Sequence, residues 1–229
     1  MRLETLQDDA VPFNISVHEA SQNSPVVLFA VGAGGQPERY STLLQALAKS
    51  GCTVIAPHFE RLTSPFPSEQ ELTLRARRLS LALNAFSHAG ATVVGVGHSI
   101  GAATLIALAG AQMWLGPGRP VRMTADKRLV RLVLLAPPTG FFQAPGSLDA
   151  VNVPVLIWVG AEDDITPPAQ SKWLAQAIPG SQMVDLRITD GAGHFSFMDM
   201  APPGIAEPLA NKPAFIQQYS GEVFKFVAG

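Results

Sequence analysis

The sequence is short of most features that announce a function directly. It has a single cysteine, Cys52, so neither an intrachain disulfide framework nor a thiolate zinc cluster can form. Cys52 follows Gly51 at the start of an apolar run and reads as a packing residue. Charge is scarce and balanced, with 16 Lys and Arg against 18 Asp and Glu and a formal net charge of −2. No basic field for nucleic acid results. The one local cluster, Arg75, Arg77 and Arg78, reads as a solvated helix face. No uninterrupted apolar stretch reaches the ~20 residues that span a bilayer. Met1 to Ala10 mixes acids and polar residues where a leader would carry an apolar core. The expectation is a cytoplasmic protein without a membrane partner. The five histidines are dispersed and show no H-x-x-x-H spacing, which argues against a metal site. Repeats, low-complexity tracts and linkers are also missing, so residues 1–229 read as one domain; the sequence leaves a homo-oligomer open.

What is present is apolar material, 47% of the chain, arranged as strand-like runs alternating with helix-like ones. Pro25 to Val31, Cys52 to Ala56, Ala91 to Val96, Leu129 to Ala136, Val153 to Val159 and Met183 to Ile188 read as strands. Helices are expected after Pro37, from a cap at Ser68 to Ser87, from Ile100, from Pro167 or Pro168, and over Pro213 to Val227. Several strands are apolar on both faces, as a parallel sheet covered by helices on each side requires. This pattern predicts a doubly wound α/β domain, with an antiparallel hairpin at one edge whose better strand is Phe13 to His18.

The most informative segment is V-V-G-V-G-H-S-I-G-A-A, Val93 to Ala103. It places Gly97-His98-Ser99-Ile100-Gly101, a G-x-S-x-G pattern, between a strand and a helix. At so tight a turn the serine hydroxyl is pushed out of the sheet edge, and side chains two residues to either side would collide. The N–H of Ile100 then points from the helix start toward a site where a carbonyl oxygen would gain charge. His98 is adjacent to the serine and reads as a packing or supporting residue rather than a base. A serine nucleophile needs an imidazole to take its proton and a carboxylate to orient that imidazole. Two downstream strands run into suitable loops: Gly160-Ala161-Glu162-Asp163-Asp164, and Asp190-Gly191-Ala192-Gly193-His194. Each lies past the C-terminal end of a strand, where open parallel sheets place their ligands.

The strand-turn serine, the G-x-x-D-x-x-x-P loop and the terminal G-x-G-H together resemble the α/β-hydrolase superfamily over essentially the whole chain. The ending G-A-G-H-F-S-F-M-D and the lack of a large cap resemble its dienelactone-hydrolase-like group. The resemblance implies Ser99 as nucleophile, Asp163 as orienting acid and His194 as general base, because the family loop has its acid three residues after Gly160. Asp164 and Glu162 are then loop charges, and Asp190 and Asp199 a turn residue and a helix cap. Two departures stand out. Where relatives often carry His-Gly, this chain has Val31-Gly32-Ala33-Gly34, so the second oxyanion N–H is assigned to Ala33, with Gly32 and Gly34 as alternatives. His58 stands where many relatives have an acid, with a role at the mouth of the site or in structure. Dienelactone hydrolases use cysteine as nucleophile, so their substrate does not carry over to Ser99. The glycine-rich stretch also lacks the G-x-G-x-x-G spacing of a dinucleotide loop.

The expected activity is cleavage of a small carboxylic ester without a cofactor. A thioesterase, a peptidase and a non-catalytic ligand-binding relative are its rivals. Pro137 to Asn152 is too short for a cap of several helices, and Met113 to Lys127 reads as a loop. An open site for a small-molecule ester follows, with Phe141, Phe142 and Trp114 as candidate apolar walls.

Overall fold

The computed structural model describes residues 1–180 and 183–229. Two N-terminal strands, β1 (Arg2–Asp8) and β2 (Val11–His18), lead into β3 (Val26–Ala30), helix α1 (Ser41–Lys49), β4 (Thr53–Pro57) and α2 (Glu69–Phe86). The middle of the chain forms β5 (Val93–His98), α3 (Ile100–Leu108), the short strands β6 (Met113–Trp114) and β7 (Pro120–Val121), and β8 (Leu129–Leu135). Then follow β9 (Val155–Gly160), α4 (Pro168–Ala177), β10 (Val184–Thr189) and α5 (Lys212–Ala228). The main sheet has eight strands in the order β1-β2-β4-β3-β5-β8-β9-β10. Antiparallel pairing is confined to the β1–β2 and β2–β4 edges of this sheet.

The strand order dictates where the helices lie. From β3 the chain steps to β4 on one side, then returns across β3 to β5 and continues in that direction to β8, β9 and β10. Right-handed crossovers therefore put α1 on one face and α2, α3 and α4 on the other. Contacts agree, since α1 packs on α5 and α2 on α3. Strands β3, β4, β5 and β9 are buried along their whole length, as a doubly covered parallel sheet requires. Strand β2, second from the edge, alternates, turning Phe13, Ile15 and Val17 inward. The direction of winding reverses between β3 and β5. Their C-terminal ends form the crevice where such sheets bind ligands.

Ser68 caps α2 as expected: its hydroxyl accepts from Glu71 N–H at 3.2 Å, and the Glu71 carboxylate accepts from Ser68 N–H at 2.7 Å. Two expectations fail. Met113 to Lys127 is more than a loop, because β6 and β7 pair within it as a small antiparallel ribbon. The arginine cluster is not a solvated face either. Arg75 and Arg78 are buried, and only Arg77 is half exposed. The reason is the N-terminal hairpin, which sets the buried carboxylate of Asp8 against α2. Arg77 Nε reaches Asp8 Oδ1 at 2.7 Å and Arg78 Nε reaches Oδ2 at 3.2 Å. A buried carboxylate demands such partners, and they lie too far away in sequence for periodicity to reveal.

Candidate active site

Strand β5 ends at His98 and α3 starts at Ile100, leaving one residue for the turn. Ser99 makes it with φ 54° and ψ −125°, a strained conformation for a residue with a side chain. The flanking glycines are sterically required. A Cβ on Gly97 would lie 2.8 Å from the Ala102 nitrogen, and one on Gly101 would lie 2.1 Å from the Ala30 carbonyl oxygen. Helix α3 therefore starts pressed against the end of β3. Ser99 N–H donates to the Leu135 carbonyl at 2.9 Å, so the elbow is also tied to β8. Although serine is a preferred capping residue, its side chain here does not cap α3. That leaves the hydroxyl free of structural duty. Ile100, in the first turn, has no intrahelical partner for its N–H.

The loops after β9 and β10 meet. Asp163 is 2% exposed and His194 5%, and His194 Nδ1–H donates to Asp163 Oδ2 at 2.9 Å. Asp163 Oδ1 accepts from the N–H groups of Ile165, at 3.0 Å, and Thr166, at 2.7 Å. Burial alone would raise the Asp163 carboxyl, but His194 and the Thr166 donors hold it below the usual carboxylate range. Glu162 and Asp164 are exposed, so the carboxylate facing the imidazole is the one three residues after Gly160. Sequence reading misses Thr166. Its hydroxyl donates to Asp163 Oδ2 at 2.8 Å and lies 3.1 Å from His194 Nδ1, so it braces acid and imidazole together.

His98 has the supporting role expected of it. Its Nε2–H donates to the His194 carbonyl at 2.9 Å, and since a carbonyl only accepts, Nδ1 must be the unprotonated nitrogen. The Tyr40 hydroxyl therefore donates to Nδ1, at 2.9 Å, and its oxygen accepts from Gly32 N–H at 3.3 Å. One directed chain thus runs from the glycine-rich loop to the backbone of His194. Burial, reinforced by nearby His194, pushes the His98 pKa down to about 3, which keeps the ring neutral. The two imidazole centroids are 4.8 Å apart, which places the residue beside Ser99 against the base loop. That loop is held on either side too. Gly193 N–H donates to Ser196 Oγ at 2.9 Å, Ser196 donates to Glu207, and Lys212 donates to the Phe195 carbonyl at 3.1 Å.

The remaining residues singled out from the sequence fall as follows. Gly32 has its N–H engaged by Tyr40, whereas Ala33 is exposed and bonded through its carbonyl to Leu62 N–H at 2.9 Å. His58 Nε2 lies 2.8 Å from Ser16 Oγ and joins the end of β4 to β2, which makes it structural. Asp190 lies in a turn, and Asp199 caps α1 from across the fold, accepting from Thr42 N–H at 2.9 Å. Phe142 is 1% exposed and belongs to the core, so it offers no wall to a substrate. Phe141 is partly buried against that core, and Trp114 lies in β6, which packs on the turn Gly140–Phe142. The apolar-wall expectation fails for Phe142 because its ring is packed into the hydrophobic core. Among the described residues there is no cluster of His, Cys, Asp and Glu suited to a metal, and no helix is long and apolar enough to cross a membrane.

A model of the alpha/beta hydrolase family matches residues 27–151. The chain belongs to the alpha/beta hydrolase family. The matched stretch carries Ser99, the glycine-rich loop and His98; Asp163 and His194 lie beyond it. Solved structures extend the likeness to the whole chain. A dienelactone hydrolase from Anabaena variabilis is 20% identical, with a TM-score of 0.64, over 96% of this chain and 94% of that one. A thermophilic esterase from Thermogutta terrifontis is 14% identical, with a TM-score of 0.65, over 98% and 90%. A serine hydrolase homologue from Coxiella burnetii is 15% identical, with a TM-score of 0.62, over 99% and 95%. No curated protein sequence matches the chain. At such identities the structures show a shared alpha/beta hydrolase fold.

Proposed function

We propose that this alpha/beta hydrolase family member is a serine hydrolase that cleaves a small carboxylic ester through an acyl-enzyme on Ser99. The observation that carries the reading is the buried Asp163–His194 hydrogen bond beside a strained serine turn. With Nδ1–H held by the carboxylate, the neutral imidazole has its lone pair on Nε2, where it can take the Ser99 proton. Ser99 Oγ attacks the ester carbonyl, and the N–H groups of Ile100 and Ala33 receive the charge that forms on oxygen. The His194 imidazolium returns its proton to the leaving alcohol. Water enters, gives a proton to His194, and its hydroxide oxygen attacks the acyl carbon. As this second intermediate collapses, His194 returns the proton to Ser99 Oγ, which releases the acid and restores the enzyme. No cofactor takes part.

The expected substrate is small and soluble. Between β8 and β9 the chain holds only the 3-10 turn Gly140–Phe142 and further short turns up to Val151, so no helical cap is inserted there. Esters with short acyl chains suit an uncovered site. Labelling with a fluorophosphonate, followed by peptide mapping, tests the nucleophile, with modification expected at Ser99 and nowhere else. Turnover on ester, thioester and amide panels of graded acyl length tests the substrate class. Absence of labelling together with absence of turnover would make the chain a ligand-binding relative, and preference for thioesters, amides or long acyl chains would overturn the substrate assignment.

A further inference from the structure

Arg75, on the second turn of α2, is the one buried guanidinium that no part of the proposed chemistry uses and no carboxylate pairs, among the described residues. It is 3% exposed. Its Nη1 donates to the carbonyls of Val31, at 3.3 Å, and Gly32, at 3.4 Å, and Nη2 donates to that of Glu60 at 3.3 Å. The Phe59 ring lies against it, 4.7 Å from the guanidinium carbon. Arg78, three residues on, has the Asp8 carboxylate instead. Glu71, four residues earlier on the same helix, acts on Arg75 only through space. Burial lowers the Arg75 pKa to about 10, which still leaves it charged at neutral pH. A buried charge is costly, and bracing a loop needs only a neutral donor. The charge itself calls for a use.

The peptide between Gly32 and Ala33 is trans, so its C=O and N–H point in opposite directions. The Gly32 carbonyl accepts from Gly35 N–H, at 3.1 Å, and from Arg75. With the carbonyl held on that side, Ala33 N–H is turned to the other. Arg75 also holds the preceding carbonyl, Val31, and Leu62 N–H holds the following one, Ala33. Three consecutive peptide planes are thereby fixed. Among the described residues, the N–H that Arg75 faces across its own peptide plane, that of Ala33, is left without a protein partner, as is that of Gly34 on the next plane. A cation on the oxygen end of an amide withdraws electrons from it and makes its N–H a stronger donor.

We propose that Arg75 is a positioning residue for the oxyanion hole, aiming and polarising Ala33 N–H from behind. The inference rests on the acyl-transfer reading above and on Ala33 as second donor. Arg75 touches no substrate. Its benefit is felt where negative charge develops on the carbonyl oxygen, so it favours the transition state over the bound ester.

The test uses Arg75→Gln and Arg75→Lys, with kcat and KM for a short-chain ester and the inhibition constant of an alkyl boronic acid that forms a tetrahedral adduct on serine. In Arg75→Gln, kcat falls about 10- to 100-fold with KM within about twofold, and boronate affinity weakens by a similar factor. Arg75→Lys keeps a charge but not the two-carbonyl grip and falls between. A folded Arg75→Gln with unchanged kcat overturns the proposal. So does a loss of kcat that leaves boronate affinity untouched, since loop disorder without oxyanion effects would produce it. If Arg75→Gln does not fold, Arg75→Lys decides by the same paired readout. Fluorophosphonate labelling of the unaltered protein separates the two levels: no adduct at Ser99 defeats the acyl-transfer reading, whereas a normal adduct with insensitive Arg75 variants defeats this inference alone.

Discussion

The Ser99 elbow and the Gly32–Gly35 loop are turns at the ends of adjacent strands, and they are held largely by different means, although Gly35 of the loop, at φ 77°, is also packed too close to the Phe59 carbonyl to admit a side chain. The elbow is held by close packing, against the start of its own helix and against the end of β3. Backbone strain falls on Ser99, and the close helix-to-sheet approach admits no side chain at Gly97 or Gly101. The loop is held from a distance, by Tyr40 on the Gly32 N–H, Arg75 on two carbonyls and Leu62 on a third. A steric turn fails abruptly when altered. A hydrogen-bonded loop leans on residues up to 44 positions away and weakens by degrees.

The sharpest break between the two is at the nucleophile. Ser99→Ala is expected to lower kcat by about 10⁴- to 10⁶-fold, while far-UV circular dichroism and Tm stay close to the parent, because the hydroxyl caps nothing. Substantial residual turnover with ordinary kinetics would show that another residue does the chemistry. The next effect separates two adjacent carboxylates. Asp163→Asn should cost roughly 10³- to 10⁴-fold in kcat, since an amide cannot support the protonated imidazole or its tautomer. Asp164→Asn, at an exposed position, should stay within about threefold. Equal losses from the two variants, or a larger one from Asp164→Asn, would overturn Asp163 as the orienting acid.

A third pair tests the steric half of the comparison directly. Gly101→Ala forces a methyl to within 2.1 Å of the Ala30 carbonyl oxygen, so thermal denaturation should show severe destabilisation or no folded protein at all. Gly34→Ala, in the hydrogen-bonded loop, meets only the Arg39 side chain at 3.9 Å and should change stability by no more than about 0.5 kcal/mol. If Gly101→Ala were as benign as Gly34→Ala, close packing would not be what shapes the elbow.

The same contrast explains what can be read from the sequence. The parallel sheet is legible because its inner strands are apolar on both faces. The elbow is legible because steric constraint writes itself into adjacent letters. Asp163 and His194 are legible only through spacing that resembles a known family, and their meeting depends on two loops 31 residues apart. Arg75 misleads, since three arginines within four positions look solvated until the Asp8 hairpin folds over two of them and the other is drawn beneath the glycine-rich loop. Tyr40 looks like one more apolar residue of a helix face, and Thr166 like part of a loop. The Tyr40 hydroxyl meets His98, and the Thr166 hydroxyl, bonded to Asp163 three residues before it, meets His194, only because the folded sheet brings them near. The wall assigned to Phe142 fails for a related reason: absence of a cap is visible in chain length, but which aromatic of the β8–β9 connection turns into the core is not.

The smallest effect at neutral pH concerns His98, and it becomes visible only on acidification. Buried among Tyr40, His194 and Asp163, the ring has a folded-state pKa of about 3. In the unfolded chain a histidine titrates near about 6.5, its reference value. Above that pH both states are neutral and His98 contributes no pH dependence. Between about 6.5 and 3 the unfolded state binds a proton that the folded state refuses, so stability falls as pH falls, by at most about 5 kcal/mol across the window. Below it, both states are protonated and the contribution levels off. Asp163 contributes separately and lower: its depressed carboxyl loses its stabilising share only as pH drops below the ordinary carboxylate range. His98→Gln isolates the imidazole, because an amide can donate to the His194 carbonyl and accept from Tyr40 without titrating. Urea unfolding from about pH 7.5 to 4 should therefore give nearly equal stabilities at the top of the range and a shallower decline for His98→Gln below about pH 6. Parallel curves would mean that His98 is protonated in the folded protein, which would reverse the hydrogen bond from Tyr40 and undo the directed chain between the two loops.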